Sequence, residues 1–298
     1  MSNPVMVSLD GSDKDARALA VAAALAEIAN TGLHLVRVFD MPIETLSSRA
    51  GALGVAAAAR TLRDTVRREL ADAADGLATS SGRPVSWEVL DGADVPGVLT
   101  QHAAARDARL VVMGTRAAGA AGRALRGSVA DRVMRESPRP VVLVPPGADR
   151  LGDKTIQVLR VLVPLDGSAL AASSIEYLLA LPHADRLEYA LVEVVAASGA
   201  DRARTEAEQR LDAVADRVRA RGARAEVAVL EASDPAAAIV ASVREALVDL
   251  IAMSTRGAGG LRRMVLGSVA ERVVRTSEVP VMLLTPADLG VDRPGARH

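Results

Sequence analysis

Residues 109–128 read RLVVMGTRAAGAAGRALRGS, and residues 249–268 read DLIAMSTRGAGGLRRMVLGS. Each stretch begins as an apolar run of strand length, reaches Thr-Arg, crosses a glycine-rich loop that carries arginines, and arrives at Gly-Ser before a helical pattern. Strand-to-helix connections usually take about 2–6 residues, so a loop of about a dozen points to a use. Glycine frees backbone N–H groups, and such groups beside a helix N-terminus make an anion site. The stretch speaks to what is bound more than to what is then done with it.

Outward from this pair the duplication widens. VMVSLDGS at 5–12 returns as VLVPLDGS at 161–168, an offset of 156 that also lays LVRVF (35–39) on LVEVV (191–195). Past the middle of each half the offset is 140, pairing Gly127 with Gly267 and PVVLV (140–144) with PVMLL (280–284). The first half therefore carries sixteen extra residues, assigned to a loop around MPIETLSSRAG (41–51) because Pro, Ser and Gly punctuate it. Repeats of this length are whole domains rather than solenoid units. The reading is a first domain at 1–146, a linker at 147–156 and a second domain at 157–288.

Each copy alternates strand and helix. Strands are expected at 5–9, 33–39, 85–90, 109–113 and 140–144, with helices at 13–30, through Leu62, Val66, Leu70 and Leu77, up to about 106, and at 128–137. Leu211, Val214 and Val218 mark the second helix of the second copy. Continuous apolar strands separated by helices predict an α/β fold with two tandem Rossmann-like domains. Each is a five-stranded parallel sheet covered by helices on both faces, in the order 3-2-1-4-5. Ligands of such sheets bind outside the carboxyl ends of the strands where the order reverses, between strands 1 and 4. Asp10-Gly11-Ser12 follows strand 1 and the glycine loop follows strand 4, so the two motifs of each half should share a crevice.

Composition narrows the functions. Half of the 298 residues are hydrophobic and the net charge is −1, so nothing draws the chain over long range to nucleic acid or an anionic membrane. Only four residues are aromatic, against base stacking, and cysteine is absent, which removes disulfides and thiolate metal sites. No apolar stretch reaches membrane-spanning length and the start lacks a signal-peptide pattern, so a soluble cytoplasmic protein is expected.

Asp10 and Asp166 end their first strands, where a carboxylate accepts hydrogen bonds from a ribose or an adenine amine; the Asp-Gly-Ser of a turn and helix cap fits equally well. Ser12 with Asp15, Ser128 with Asp131 and Ser268 with Glu271 have capping-box spacing. Arg116 with Arg256, and Arg123 with Arg263, match between the loops and suit phosphate, although surface arginines are common in this chain. His34, His102, His183 and His298 are scattered, outside any metal-ligand spacing, and are read as structural or surface residues. There is no Walker lysine, no nucleophile elbow, and no gathering of nucleophile, base and orienting group. No catalytic residue and no metal ligand is assigned.

These residues resemble the universal stress protein family in its tandem two-domain bacterial form, over nearly the whole chain. The family's nucleotide signature is Gly-x2-Gly-x9-Gly-Ser/Thr after strand 4, with Asp at the end of strand 1. The first half supplies Gly114, then Ala117 in place of the second glycine, then Gly127-Ser128; the second supplies Ser254 in place of the first, then Gly257 and Gly267-Ser268. The resemblance implies ATP as ligand, with or without Mg2+, adenine near Val38 or Val194, and ribose near Asp10 or Asp166. The remaining contacts it implies come from Gly11, Ser12, Gly114, Thr115, Arg116, Gly127 and Ser128, and from Gly167, Ser168, Ser254, Thr255, Arg256, Gly257, Gly267 and Ser268. It further implies last strands paired between domains, a stress or dormancy role, and little hydrolysis. A homodimer is expected, with the second half binding nucleotide more tightly because Gly257 suits a positive φ that Ala117 resists. The alternatives are an assembly module with decayed sites and a slow or self-phosphorylating ATPase.

Overall fold

The run VMVS, which has no residue that breaks a strand, forms β1 (Val5–Ser8), and the first copy continues through α1 (Asp15–Ile28), β2 (Leu33–Phe39), α2 (Arg49–Ser81), β3 (Val85–Asp91), α3 (Val95–Ala105), β4 (Leu110–Gly114), α4 (Val129–Glu136) and β5 (Val141–Val144). The second copy repeats the plan as β6 (Leu159–Leu165), α5 (Ala169–Leu179), β7 (Leu187–Val195), α6 (Ala200–Ala220), β8 (Arg224–Glu231), α7 (Pro235–Glu245), β9 (Leu250–Ser254), α8 (Ser268–Thr276) and β10 (Val281–Leu284). This computed structural model describes residues 3–40, 49–115, 129–148, 158–196, 200–255 and 266–285. Most of the expected linker, and the loops 116–128 and 256–265, lie outside them.

All ten strands form one sheet in the order β3-β2-β1-β4-β5-β10-β9-β6-β7-β8. Within each half the strands are parallel in the order 3-2-1-4-5, as the alternation of strand and helix requires. The halves join where β5 and β10 run antiparallel, with Met282 opposite Val142. Both strands are buried along their length, so an edge that would otherwise stand open is closed inside the chain. The second copy meets the first again beside the sheet: His183 N donates to the Ile28 carbonyl at 3.0 Å, and Arg186 pairs with Glu27.

Side chains alternate across the sheet and define two cores. One lies under α1, α2, α5 and α6 and holds Val5, Val7, Leu25, Leu33, Leu35, Val66, Leu70, Ile175, Tyr189 and Leu211. The other lies under α3, α4, α7 and α8 and holds Met6, Val36, Leu99, Val111, Val133, Ile239, Ile251 and Val273. Burial of this apolar surface, at about 25 cal/mol per Å2, is the main force that holds helices to sheet.

Two expectations are corrected here. The sixteen extra residues of the first copy are largely helix, because α2 runs 33 residues from Arg49 where α6 runs 21. The sequence GALGVAAAAR lengthens the helix, alanine's propensity outweighing two glycines that each cost about 1 kcal/mol. Leu62, expected on the apolar face of α2 with Val66 and Leu70, is 55% exposed instead.

Pro164 gives the second copy a difference of its own. It occupies the place of Ser8 and has no N–H to donate. The β6–β9 ladder spans only Val161–Leu250 and Leu162–Ile251, whereas β1–β4 runs through four pairs to Ser8–Met113.

Candidate functional site

At the reversal of strand order in the first half, β1 ends at Ser8 and β4 at Gly114, and the chain leaves the sheet in opposite directions. Between them opens a cavity of about 630 Å3. Asp10, Lys14, Asp15 and Arg37 give it a charged side, and Val38, Leu62, Val66 and Val95 an apolar one. Its size falls in the range of small-molecule sites, about 300–1,000 Å3.

Asp-Gly-Ser works first as a turn. Asp10 Oδ1 accepts from Ser12 N at 3.0 Å, and Asp166 Oδ1 accepts from Ser168 N at the same distance. Gly11 has φ +79° and Gly167 φ +75°, left-handed conformations that glycine adopts without strain. Asp10 Oδ2 then takes the Lys14 ammonium at 3.3 Å. Burial opposes ionisation of Asp10, but the donors of Ser12 and Lys14 outweigh it and hold the pKa below the ordinary value. A carboxylate offers about four lone-pair sites, so these contacts leave it room to accept from a ligand.

The capping boxes form only in part. Ser168 caps α5 by accepting from Ala171 N at 3.1 Å. In the first copy Ser12 does not cap; Asp15 reaches back instead, accepting from Gly11 N at 2.8 Å and Asp10 N at 3.2 Å. Burial raises the Asp15 pKa against the pull of those N–H groups. In α8 the cap position belongs to Gly267, and Ser268, expected to cap, is the first helical residue and exposed. Gly267 is extended there (φ −62°, ψ 146°), so the helix starts one residue earlier than a cap at Ser268 would place it.

The two ends of the second glycine loop are held together. Gly267 N donates to the Thr255 carbonyl at 2.8 Å, and Thr255 N to the Leu284 carbonyl at 2.9 Å. Thr115 N and its hydroxyl both donate to Val144, so the first loop also leaves from a fixed point. A Cβ at Gly114 would lie 3.1 Å from Lys14 Cβ, so a side chain at this strand end would crowd the residues before α1; Ser254 takes the matching place as a buried residue. Arg116, Gly127, Ser128, Arg256 and Gly257, together with the Ser128–Asp131 box, fall on or depend on residues outside those described.

Three features escaped the sequence reading. Arg132 bonds Asp94 at 2.6 Å and the matching Arg272 bonds Asp234 at 2.5 Å, fixing α4 to α3 and α8 to α7 behind the loops. Arg37 projects over Gly11 and bonds Glu69 at 2.7 Å, while the second half reverses the charges, with Arg210 on α6 bonded to buried Glu193. Comparing the two copies position by position is the signal that reveals both. The third concerns the histidines expected to be scattered: His34 and His102 meet, with Nε2 atoms 2.8 Å apart.

The class so defined is a doubly wound α/β protein of two fused domains, with a crevice at the reversal of strand order in the first half. The sequence model of the universal stress protein family matches residues 1–145 and 158–285, and the chain belongs to that family. A universal stress protein from Thermus aquaticus, described by its place in the 3′ region of the QAH/OAS sulfhydrylase, is 31% identical over 144 residues, 48% of this chain and 99% of that one. Among solved structures, a universal stress protein from Archaeoglobus fulgidus superposes with TM-score 0.71 at 21% identity, covering 96% of this chain and 99% of its own. A functionally unknown protein from Pseudomonas aeruginosa superposes with TM-score 0.62 at 15% identity, covering 97% and 94%. These likenesses over the full length establish the fold. Among the described residues no helix is long and apolar enough to cross a membrane.

Proposed function

We propose that this protein binds adenine nucleotide, ATP first, as a regulatory protein of the stress response and holds it without efficient turnover. One observation carries the reading: a ligand-sized cavity at the β1/β4 reversal joins three carboxylates, two cations and an apolar slot. Asp10 suits a ribose hydroxyl, Lys14 and Arg37 suit phosphate oxygens, and Val38, Leu62, Val66 and Val95 suit the faces of a purine. These residues fit the ligand the family implies, and phosphate would compete with Asp10 for Lys14 and with Glu69 for Arg37.

Calorimetry with ATP, ADP, AMP and cyclic AMP tests the proposal. ATP should bind, and Asp10→Ala should weaken the first site at least about tenfold, or about 1.4 kcal/mol. Absence of binding by all four at millimolar concentration would leave an assembly module as the better reading. We further propose a cytoplasmic homodimer, with light scattering as its check; a monomer mass across micromolar concentrations would refute it.

A further inference from the structure

The second core of the first half contains a polar cluster that the fold does not require. His34 on β2 is 1% exposed, and its ring stacks on that of His102 from α3 with centroids 5.1 Å apart. Glu88 on β3 lies two residues from Ser86, which pairs with His34 across the ladder, so Ser86, Glu88 and His34 share the face covered by α3. Glu88 Oε2 stands 3.8 Å from His102 Nε2, and one ligand atom from each of the three residues falls within 4.8 Å of the others.

Ser86 Oγ lies 2.8 Å from His34 Nδ1 and 3.4 Å from the Leu33 carbonyl, an arrangement that suits the tautomer with its proton on Nδ1. In that tautomer His34 Nε2 carries a lone pair, and it lies 2.8 Å from His102 Nε2. Burial, with the charges of Arg106 and His102, holds the His34 pKa down at about 4. Burial lowers His102 as well, against the pull of Glu88.

We infer that His34, His102 and Glu88 form a binding site for a divalent transition cation of the zinc type. Two imidazoles and one carboxylate are a known ligand set for zinc, whose Zn–N distances of about 2.0–2.1 Å in a tetrahedron place the two nitrogens about 3.3 Å apart. The observed 2.8 Å and 3.8 Å separations bracket that value on two edges of the site, and on the third the ligand atoms lie within 4.8 Å, so side-chain adjustment without backbone movement seats the ion. Outer partners are in place: Ser86 orients His34, and Arg106 bonds Glu88. Glu88 is 40% exposed on its side chain, which leaves a path for entry and a coordination position for water. The Arg106 charge beside the carboxylate limits affinity, so micromolar rather than nanomolar binding follows. Val38 lines the nucleotide cavity and His34 lies four residues earlier on the same strand, about 13 Å away at the other end of the sheet. The cation site is therefore separate from any metal carried by nucleotide phosphates.

The second half provides the control. At the positions of His34, Glu88 and His102 it has Ala190, Ala228 and Ser242, in the same register and the same fold. Packing alone does not demand the histidines.

The test uses the full-length, tag-free chain, stripped with chelator and titrated with zinc chloride by calorimetry. One zinc per chain should bind with Kd at or below about 10 µM. His102→Ser and Glu88→Ala install the residues of the second copy and should keep the circular dichroism spectrum and urea midpoint. His102→Ser should weaken binding at least about a hundredfold and Glu88→Ala about tenfold. Cobalt should give a visible absorption band in the wild type that His102→Ser removes. Should His102→Ser fail to fold, Glu88→Ala, a change at a half-exposed side chain, still decides. Fewer than roughly 0.1 zinc per chain at about 100 µM free metal, or zinc binding unchanged in both variants, would overturn the assignment.

Discussion

Replacing the glycine of each Asp-Gly-Ser turn by alanine separates a backbone effect from a side-chain contact. Gly167 has φ +75°, and a Cβ there would lie 3.4 Å from Arg210 Nε, an ordinary contact. Gly167→Ala should therefore cost only the left-handed penalty, about 1–2 kcal/mol. Gly11 has φ +79°, but its Cβ would fall 2.5 Å from Arg37 Nη2 and 2.6 Å from Cζ, so the guanidinium must move. Arg37 then loses Glu69, which is 56% exposed on its side chain, an ion pair of a kind worth about 0.2–1 kcal/mol in water. Gly11→Ala should cost about 1–3 kcal/mol, more than Gly167→Ala by that increment, and should also weaken ATP binding because Arg37 lines the cavity. Urea unfolding followed by circular dichroism measures both losses. Equal losses would mean that Arg37 swings aside freely. Losses below about 0.5 kcal/mol in both would mean that neither turn needs its left-handed residue.

Other outcomes follow from single residues. The Tyr189 hydroxyl is buried without a hydrogen-bond partner among the described residues, so Tyr189→Phe should be neutral or stabilise by about 1 kcal/mol in urea; a loss of that size would reveal a hidden partner. Leu143→Ala, in β5 opposite Val281, should cost about 2–5 kcal/mol and shift one cooperative transition, and two separate transitions would show that the halves unfold independently. Ala117→Gly should strengthen nucleotide binding by the first half about five- to thirtyfold if the loop needs a positive φ there; unchanged affinity in calorimetry would refute that requirement.

Strand order and the crevice were legible because they rest on local periodicity repeated at a fixed offset. VMVSLDGS and VLVPLDGS place a carboxylate at the end of strand 1 in both copies, and the long loop marks strand 4. The helical extension at Arg49 was hidden, since Ser47, Ser48 and Gly51 carry loop signals while the alanines after them decide the outcome. The caps at Ser12 and Ser268 illustrate a different limit: spacing shows which groups can meet, and the chain path into the helix decides which do. Arg37–Glu69, Glu193–Arg210 and the His34–His102 contact join residues distant in sequence and depend on which strand lies beside which. Such contacts follow from topology, and only the contrast between copies, histidine against alanine or arginine against glutamate, hints at them beforehand.

The antiparallel seam between β5 and β10 also bears on how the chain changes over time. In an assembly of two identical chains, every substitution appears twice and must be tolerated in both places at once. Here the partner is covalently attached and separately encoded, so each half is free to lose or gain a residue alone. Gly114 can become Ser254, Ser8 can become Pro164, and a histidine pair can occupy one half while alanine and serine stand in the other. Fusion has turned a symmetric pair into a molecule whose two sides can specialise.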